Sequence, residues 1–145
     1  MLNAQEAKQV AQQHFDQWFE SANSFIVAYE AVKKIGDFKG AAFQLHQAVE
    51  RYLSCILLVH TNYRPKTHNI KALYSLACQQ ADELKAIFPQ ESKHHHRAFQ
   101  ALKKAYIEAR YSEHYEITEE ELQWLSERVG ELQQATEKLC REKIT

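Results

Sequence analysis

The residues best suited to hold an anion lie in a short basic segment. Arg64, Lys66 and His68 occur within five positions, directly before the start of a predicted helix. Free backbone amides and the helix dipole at such an N-terminus favour a negative charge. The segment therefore predicts a site for a phosphate or a carboxylate. The alternative is a solvated basic loop in which Thr67 or Asn69 only caps the helix.

A second candidate group closes the fourth predicted helix, where an arginine, a histidine and two tyrosines fall within six positions. Arg110 can offer a planar pair of donors to a phosphate, and Tyr111 or Tyr115 can stack on a base. His114 adds a group that can carry a proton at neutral pH. The alternative is that Arg110 satisfies helix-terminal carbonyls or pairs with Glu113.

A third group lies inside an otherwise apolar helix. His46 and Glu50 are one helical turn apart, and Gln47 adds an amide beside them. Polar groups in such a position must find hydrogen-bond partners. The spacing therefore predicts either a buried structural network or part of a binding site.

The common short catalytic and metal-binding patterns are absent. The chain has no phosphate loop, paired-cysteine zinc motif, EF-hand loop, nucleophile elbow or His-Glu-x-x-His. His94, His95 and His96 are consecutive, and consecutive side chains on a helix point about 100° apart, so they cannot converge on one ion. We expect neither a metal site nor a cofactor.

Composition indicates an all-α domain that spans residues 1–145. Only 3 Gly and 2 Pro occur in 145 residues, which disfavours many short strands joined by turns. The longest strictly apolar run, Cys55–Val59, is far below the roughly 20 residues that a membrane span requires. The three cysteines form no CxxC pair, which suits reduced, packed thiols. We therefore expect no membrane association and a cytoplasmic location.

Charge is distributed unevenly along the chain although the net charge is only −1. Residues 60–110 carry nine Lys or Arg against four Asp or Glu, whereas residues 111–145 carry four against nine. This central basic excess suits an anionic ligand. It is much weaker than the basic surface of a dedicated duplex-binding protein.

Apolar spacing predicts five helices joined by short connections. In the first, apolar residues step by four and three positions from Ala11 to Val32. Gly36 and Asp37 predict a stop and a restart, and Thr118 with Glu121 fits a capping box. The predicted helices are residues 4–35, 38–60, 70–88, a fourth after Ser92, and a fifth after Thr118. Together they predict an up-and-down antiparallel helical bundle.

Three ordered segments resemble one known family. They are Ala41–Arg51, Asn62–Asn69 and Ala105–Tyr111. The order and spacing of these segments resemble those of the HEPN family, the higher-eukaryote and prokaryote nucleotide-binding domains. The resemblance covers nearly the whole chain. It implies an up-and-down bundle, usually a homodimer, often encoded beside or fused to a minimal nucleotidyltransferase. In the nuclease and toxin branch, each of two subunits supplies an Arg and a His, with four to six residues between them, to cut RNA.

This sequence departs from the nuclease pattern, because Arg64 and His68, like Arg110 and His114, enclose only three residues. A shift of one helical position rotates a side chain by about 100°. Three hypotheses remain. The first is a binding module for a nucleotide or phosphate, acting with a nucleotidyltransferase; the second is a metal-independent RNase that uses Arg110 and His114 across a dimer; the third is a structural or protein-interaction bundle. The ligand-binding candidates are Arg64, Lys66, His68, Arg110, Tyr111, Tyr115, His46, Gln47 and Glu50.

Overall fold

The computed structural model describes residues 1–145 and contains five α-helices, one 3-10 helix and no strand. The all-α prediction is therefore confirmed. The elements are α1 (Ala4–Lys34), α2 (Phe38–Thr61), α3 (Ile70–Gln80), a 3-10 helix (Asp82–Ala86), α4 (Lys93–Tyr111) and α5 (Glu119–Ile144).

Side-chain caps explain where the helices begin. Asp37 accepts from the amide of Gly40 at the start of α2, and Thr118 and Glu121 form the predicted capping box of α5. Gly36 has a φ of 86°, which a residue without a Cβ adopts at little cost, and the chain there turns from α1 into α2. The stop and restart predicted at this point is confirmed.

Helix α2 is the centre of the bundle and contacts α1, α3, α4 and α5. Its side chains Leu45, Leu53 and Ile56 are completely buried. Burying each such side chain contributes about 1.5–3 kcal/mol. Because α2 is covered on several sides, the partners available to a buried polar group on it lie inside the fold or at the edge between two neighbouring helices.

Helix α3 is shorter than predicted, because it ends at Gln80 and does not continue to Phe88. Ala81 adopts an extended conformation, and the chain then forms the 3-10 helix. The Tyr74 hydroxyl donates to the carbonyl of Leu84 at 2.6 Å and accepts from the amide of Phe88 at 3.3 Å. These bonds hold the segment against α3, so Leu84 and Phe88 still reach the core without a continuous helix.

The three cysteines are free thiols. Cys55 and Cys140 are buried, and their sulfur atoms lie 4.0 Å apart between α2 and α5. None of the helices combines enough length with enough apolar character to span a membrane.

Candidate functional site

A buried carboxylate on α2 is joined to a histidine in the loop that follows the helix. His68 Nδ1 donates to Glu50 Oε1 at 2.8 Å. The Glu50 side chain is 3% exposed, whereas that of His68 is 53% exposed. This bond fixes the imidazole with its protonated Nδ1 towards Glu50, and Nε2 makes no hydrogen bond within the protein.

His46 holds the same loop against α2 from within the core. Its Nε2 donates to the backbone carbonyl of His68 at 3.0 Å, and the side-chain amide of Gln47 lies 3.3 Å from its Nδ1. Burial lowers the pKa of His46 below the ordinary 6.5, and the negative charge of Glu50 opposes this only in part. His46 is therefore a neutral structural histidine at pH 7.

An aromatic stack covers these polar groups from α4. The Tyr106 ring lies over the His68 ring at a centroid distance of 4.0 Å and an interplanar angle of 24°. His46 and Phe43 extend the stack, at 5.5 and 6.1 Å from Tyr106. Tyr106 thus fixes the orientation of the exposed His68 ring, because such contacts favour one arrangement of the rings.

The guanidinium of Arg110 lies at the outer edge of this stack. Its central carbon is 4.7 Å from the ring centres of both Phe43 and Tyr106, and 4.9 Å from that of Tyr111. Its Nε donates to the carbonyl of Tyr106 at 2.8 Å, the only hydrogen bond that the side chain makes. The two terminal nitrogens therefore remain exposed and available as a planar pair of donors.

An open groove of about 400 Å³ continues from the stack along α4. Its basic members are Lys103, Lys104 and His68, and its acidic member is Glu108. Tyr106 belongs to both the stack and the groove. The surface as a whole combines free cations with aromatic rings, and we call it the Tyr106 face. It comprises Phe43, His68, Lys103, Lys104, Tyr106, Arg110 and Tyr111.

The structure brings together residues from all three groups that the sequence singled out. His46 and Glu50 bond to His68 of the loop, and Gln47 bonds to His46. The stack connects this loop to Arg110 and Tyr111. Sequence reasoning missed Phe43 and Tyr106 as site residues. Their positions gave a signal, because Phe43 lies three residues before His46, and Tyr106 lies four residues before Arg110, on the same helical face.

Other candidates lie outside this face. Arg64 donates to the Thr67 carbonyl at 2.8 Å and lies over Trp18 of α1, while Lys66 is exposed without a polar contact. The side chain of Asn69 accepts from the amides of Lys71 and Ala72, so two of the amides expected to face an anion are already occupied.

Two candidates that follow α4, His114 and Tyr115, also lie outside the Tyr106 face. Tyr115 is only 5% exposed, and its hydroxyl donates to the Ala101 carbonyl at 2.7 Å. Its ring belongs to the core, so the prediction that it can stack on a base is wrong. His114 lies beyond the end of α4, and its Nε2 is 3.5 Å from Glu113 Oε1. No hydrogen bond joins its side chain to Arg110, whose Nε bonds to Tyr106 instead.

No group of three or more His, Cys, Asp or Glu side chains is arranged to hold a metal ion. In the histidine run, His94 and His96 are exposed, and His95 stacks on Trp124 at 4.3 Å. The chemistry of the Tyr106 face therefore comes from one guanidinium, two ammonium groups, an imidazole and aromatic rings.

Comparison with models of protein families identifies a family for this chain. A family model described as the HEPN domain matches residues 15–139, a range that includes every residue of the Tyr106 face. A search of curated proteins found no match.

Proposed function

Because the chain belongs to the HEPN domain family, we propose that it is a helical binding module that holds a nucleotide, or another phosphate-bearing ligand, on the Tyr106 face. The observation that carries this proposal is the state of Arg110. Its guanidinium is exposed, lies among three aromatic rings and uses only Nε within the protein. Two terminal nitrogens held in one plane suit the oxygens of a phosphate.

The surroundings of Arg110 supply the other contacts that a nucleotide needs. Tyr111 is 76% exposed and lies directly beside the guanidinium, so a base can stack on its ring while Arg110 holds the phosphate. Lys103 and Lys104 line the adjoining groove and can neutralise a second phosphate. Stacking and charge-assisted hydrogen bonds act together in this arrangement, which favours a nucleotide over a simple carboxylate.

We further propose that this module works in the cytoplasm as a homodimer, together with a nucleotidyltransferase domain or protein. The family resemblance supports this partnership. Ile107 and Tyr111 are large exposed apolar side chains one turn apart on α4, beside the basic groove. Such a surface suits contact with a second chain that also contributes to the bound ligand.

Nucleotide titration of matched arginine variants tests the binding role. Arg97 provides the control, because it is an exposed arginine on the same helix, thirteen residues and roughly 20 Å from Arg110. We expect a nucleotide at 100 times its dissociation constant to stabilise the wild type and Arg97→Ala by about 2.7 kcal/mol. Arg110→Ala should lose this effect while its ligand-free thermal midpoint stays close to that of the wild type. Equal ligand stabilisation in both variants would contradict the proposal.

A metal-independent RNase of toxin type is the second candidate, and the Glu50–His68 pair favours it. A buried carboxylate holds Nδ1 of an exposed histidine, which leaves Nε2 open to exchange a proton with a substrate. Arg110 lies on the same stack and can stabilise a phosphate that gains charge. In this alternative His68, rather than the sequence-predicted His114, is the acid or base.

RNA cleavage in the presence of a chelator tests this second candidate. An RNase that uses the Glu50–His68 pair loses activity in a folded His68→Gln variant and keeps it in His114→Gln. The reverse pattern would return the role to His114. Intact RNA after prolonged incubation with wild-type protein at several pH values would exclude RNase activity, and the binding role would be the one that remains.

A further inference from the structure

We propose that Arg51 of α2 and Arg64 of the following loop form a second site, which binds a phosphate group beside Trp18. This site lies against Trp18 of α1 and shares no residue with the Tyr106 face, so it goes beyond the function proposed above. No element of the nucleotide-binding proposal depends on it.

The two guanidinium groups converge on a single indole ring. The central carbon of Arg51 lies 5.3 Å from the ring centre of Trp18, and that of Arg64 lies 5.4 Å from the same ring. Arg51 also lies 5.3 Å from the Phe25 ring. Both arginines are partly buried against these rings. Contact with the aromatic rings therefore positions both guanidinium groups and partly desolvates them.

Neither arginine has an acidic partner. The five ion pairs of the chain involve other residues. The Arg51 side chain makes no hydrogen bond, and the Arg64 side chain makes only the bond to the Thr67 carbonyl. The Nε atoms of both side chains are buried without a partner. Two partly desolvated cations beside one ring are costly for a protein to maintain, and an anion that binds their terminal nitrogens would lower that cost.

Arg128 shows that an unpartnered Nε alone does not define such a site. Its Nε is also buried and unpartnered, but it lines a groove with Glu83 and Glu131, which supply negative charge. Arg51 and Arg64 have Trp18 and Phe25 as neighbours instead. No acidic side chain pairs with either cation, so a bound anion would supply a charged partner that the protein itself does not.

The ligand chemistry that fits is a phosphate group. Two guanidinium groups carry two fixed positive charges and several donors, which match the charge and the oxygens of a phosphate better than those of a single carboxylate. That phosphate can belong to a free polyphosphate, to a nucleotide or to a single-stranded RNA.

Trp18 provides a local signal for the test, because the chain contains only two tryptophans. In a Trp124→Phe background its emission reports on this site alone. We expect pyrophosphate to change the emission saturably, with an affinity at least tenfold weaker in Arg51→Gln and in Arg64→Gln. Arg128→Gln is the matched control, and Arg110→Ala removes the central cation of the Tyr106 face. Both variants should bind pyrophosphate beside Trp18 with the affinity of the parent protein. This last comparison separates the second site from the proposed nucleotide site.

Titrations with adenosine diphosphate and with a short oligouridylate distinguish the sources. Tighter binding of either one than of pyrophosphate would identify the molecule that carries the phosphate. Circular dichroism establishes that each variant is folded, and Arg51→Lys keeps the charge while removing the planar donors. Unchanged Trp18 emission with all three probes in the parent protein would overturn the proposal. So would equal affinities in the parent and in folded Arg51→Gln and Arg64→Gln.

Discussion

The bond between Glu50 and His68 gives an asymmetric prediction about stability. The carboxylate is 3% exposed and has no other hydrogen-bond partner, whereas the imidazole is 53% exposed. Removing the histidine leaves a buried charge unpaired. Removing the charge on Glu50 leaves a histidine that water can still reach. Loss of the His68 side chain should therefore lower the free energy of unfolding more than loss of the charge on Glu50.

The structure sets the size of each effect. Breaking a buried pair typically costs about 3–5 kcal/mol, and we expect about 2–4 kcal/mol for His68→Ala, because removing a half-exposed ring admits some water to the carboxylate. Glu50→Gln keeps the shape and an oxygen that can accept from Nδ1, so its cost is about 1 kcal/mol. Adding Glu50→Gln to His68→Ala should raise the stability of the single His68 variant, because it removes the unpaired charge.

Urea unfolding followed by circular dichroism measures these differences. His95→Ala is the matched control, since His95 stacks on Trp124 at 4.3 Å much as His68 stacks on Tyr106, but has no carboxylate partner. Its loss should cost only the stacking, about 0.5–1.5 kcal/mol. The reasoning is refuted if the double variant is less stable than His68→Ala, or if His68→Ala costs no more than Glu50→Gln.

Three further predictions concern the fold. Burial lowers the pKa of His46 and of His60 below 6.5, so each histidine binds a proton more readily in the unfolded chain than in the folded one. The unfolding free energy should therefore fall as the pH drops below about 6.5, by at most about 1.4 kcal/mol per pH unit for each histidine. Urea titrations from pH 8 to 5 measure this, and a flat profile would contradict it. Leu45→Ala should cost about 2–5 kcal/mol, because Leu45 is completely buried, whereas Val27→Ala on the exposed side of α1 should change stability by less than about 0.5 kcal/mol in the same assay. Thr118→Ala removes the capping box of α5 and should cost about 1 kcal/mol, and an unchanged thermal midpoint would show that the cap contributes nothing.

Much of the fold could be predicted from apolar spacing and caps. The start of α5 at Thr118 and the break at Gly36 follow from local rules that act within a few residues. The end of α3 could not be predicted in this way. Leu84 and Phe88 continue the helical spacing, but the Tyr74 hydroxyl holds them in the core through a 3-10 helix instead. Spacing alone does not distinguish these two ways of burying the same side chains.

The candidate site shows a similar division. Sequence spacing identified His46 and Glu50 as polar groups that need partners, and it identified Arg110 and Tyr111 together at the end of α4. It could not show that His68 returns to Glu50, because this depends on how the loop packs across α2. The same packing turns Arg64 towards Trp18. Residues that looked like one basic segment therefore divide between two faces of the protein.

The most direct test of the central claim is calorimetric titration of nucleotides into the wild type, Arg110→Ala and Arg97→Ala. In an Arg51→Gln background, which removes the second proposed phosphate site, the claim predicts one saturable nucleotide site per chain. That site is lost on adding Arg110→Ala and kept on adding Arg97→Ala, since Arg110 presents its free donors among Phe43, Tyr106 and Tyr111. Nucleotide binding of equal affinity after Arg110→Ala is added to this background in a folded protein, or no nucleotide binding by the wild type, would contradict it.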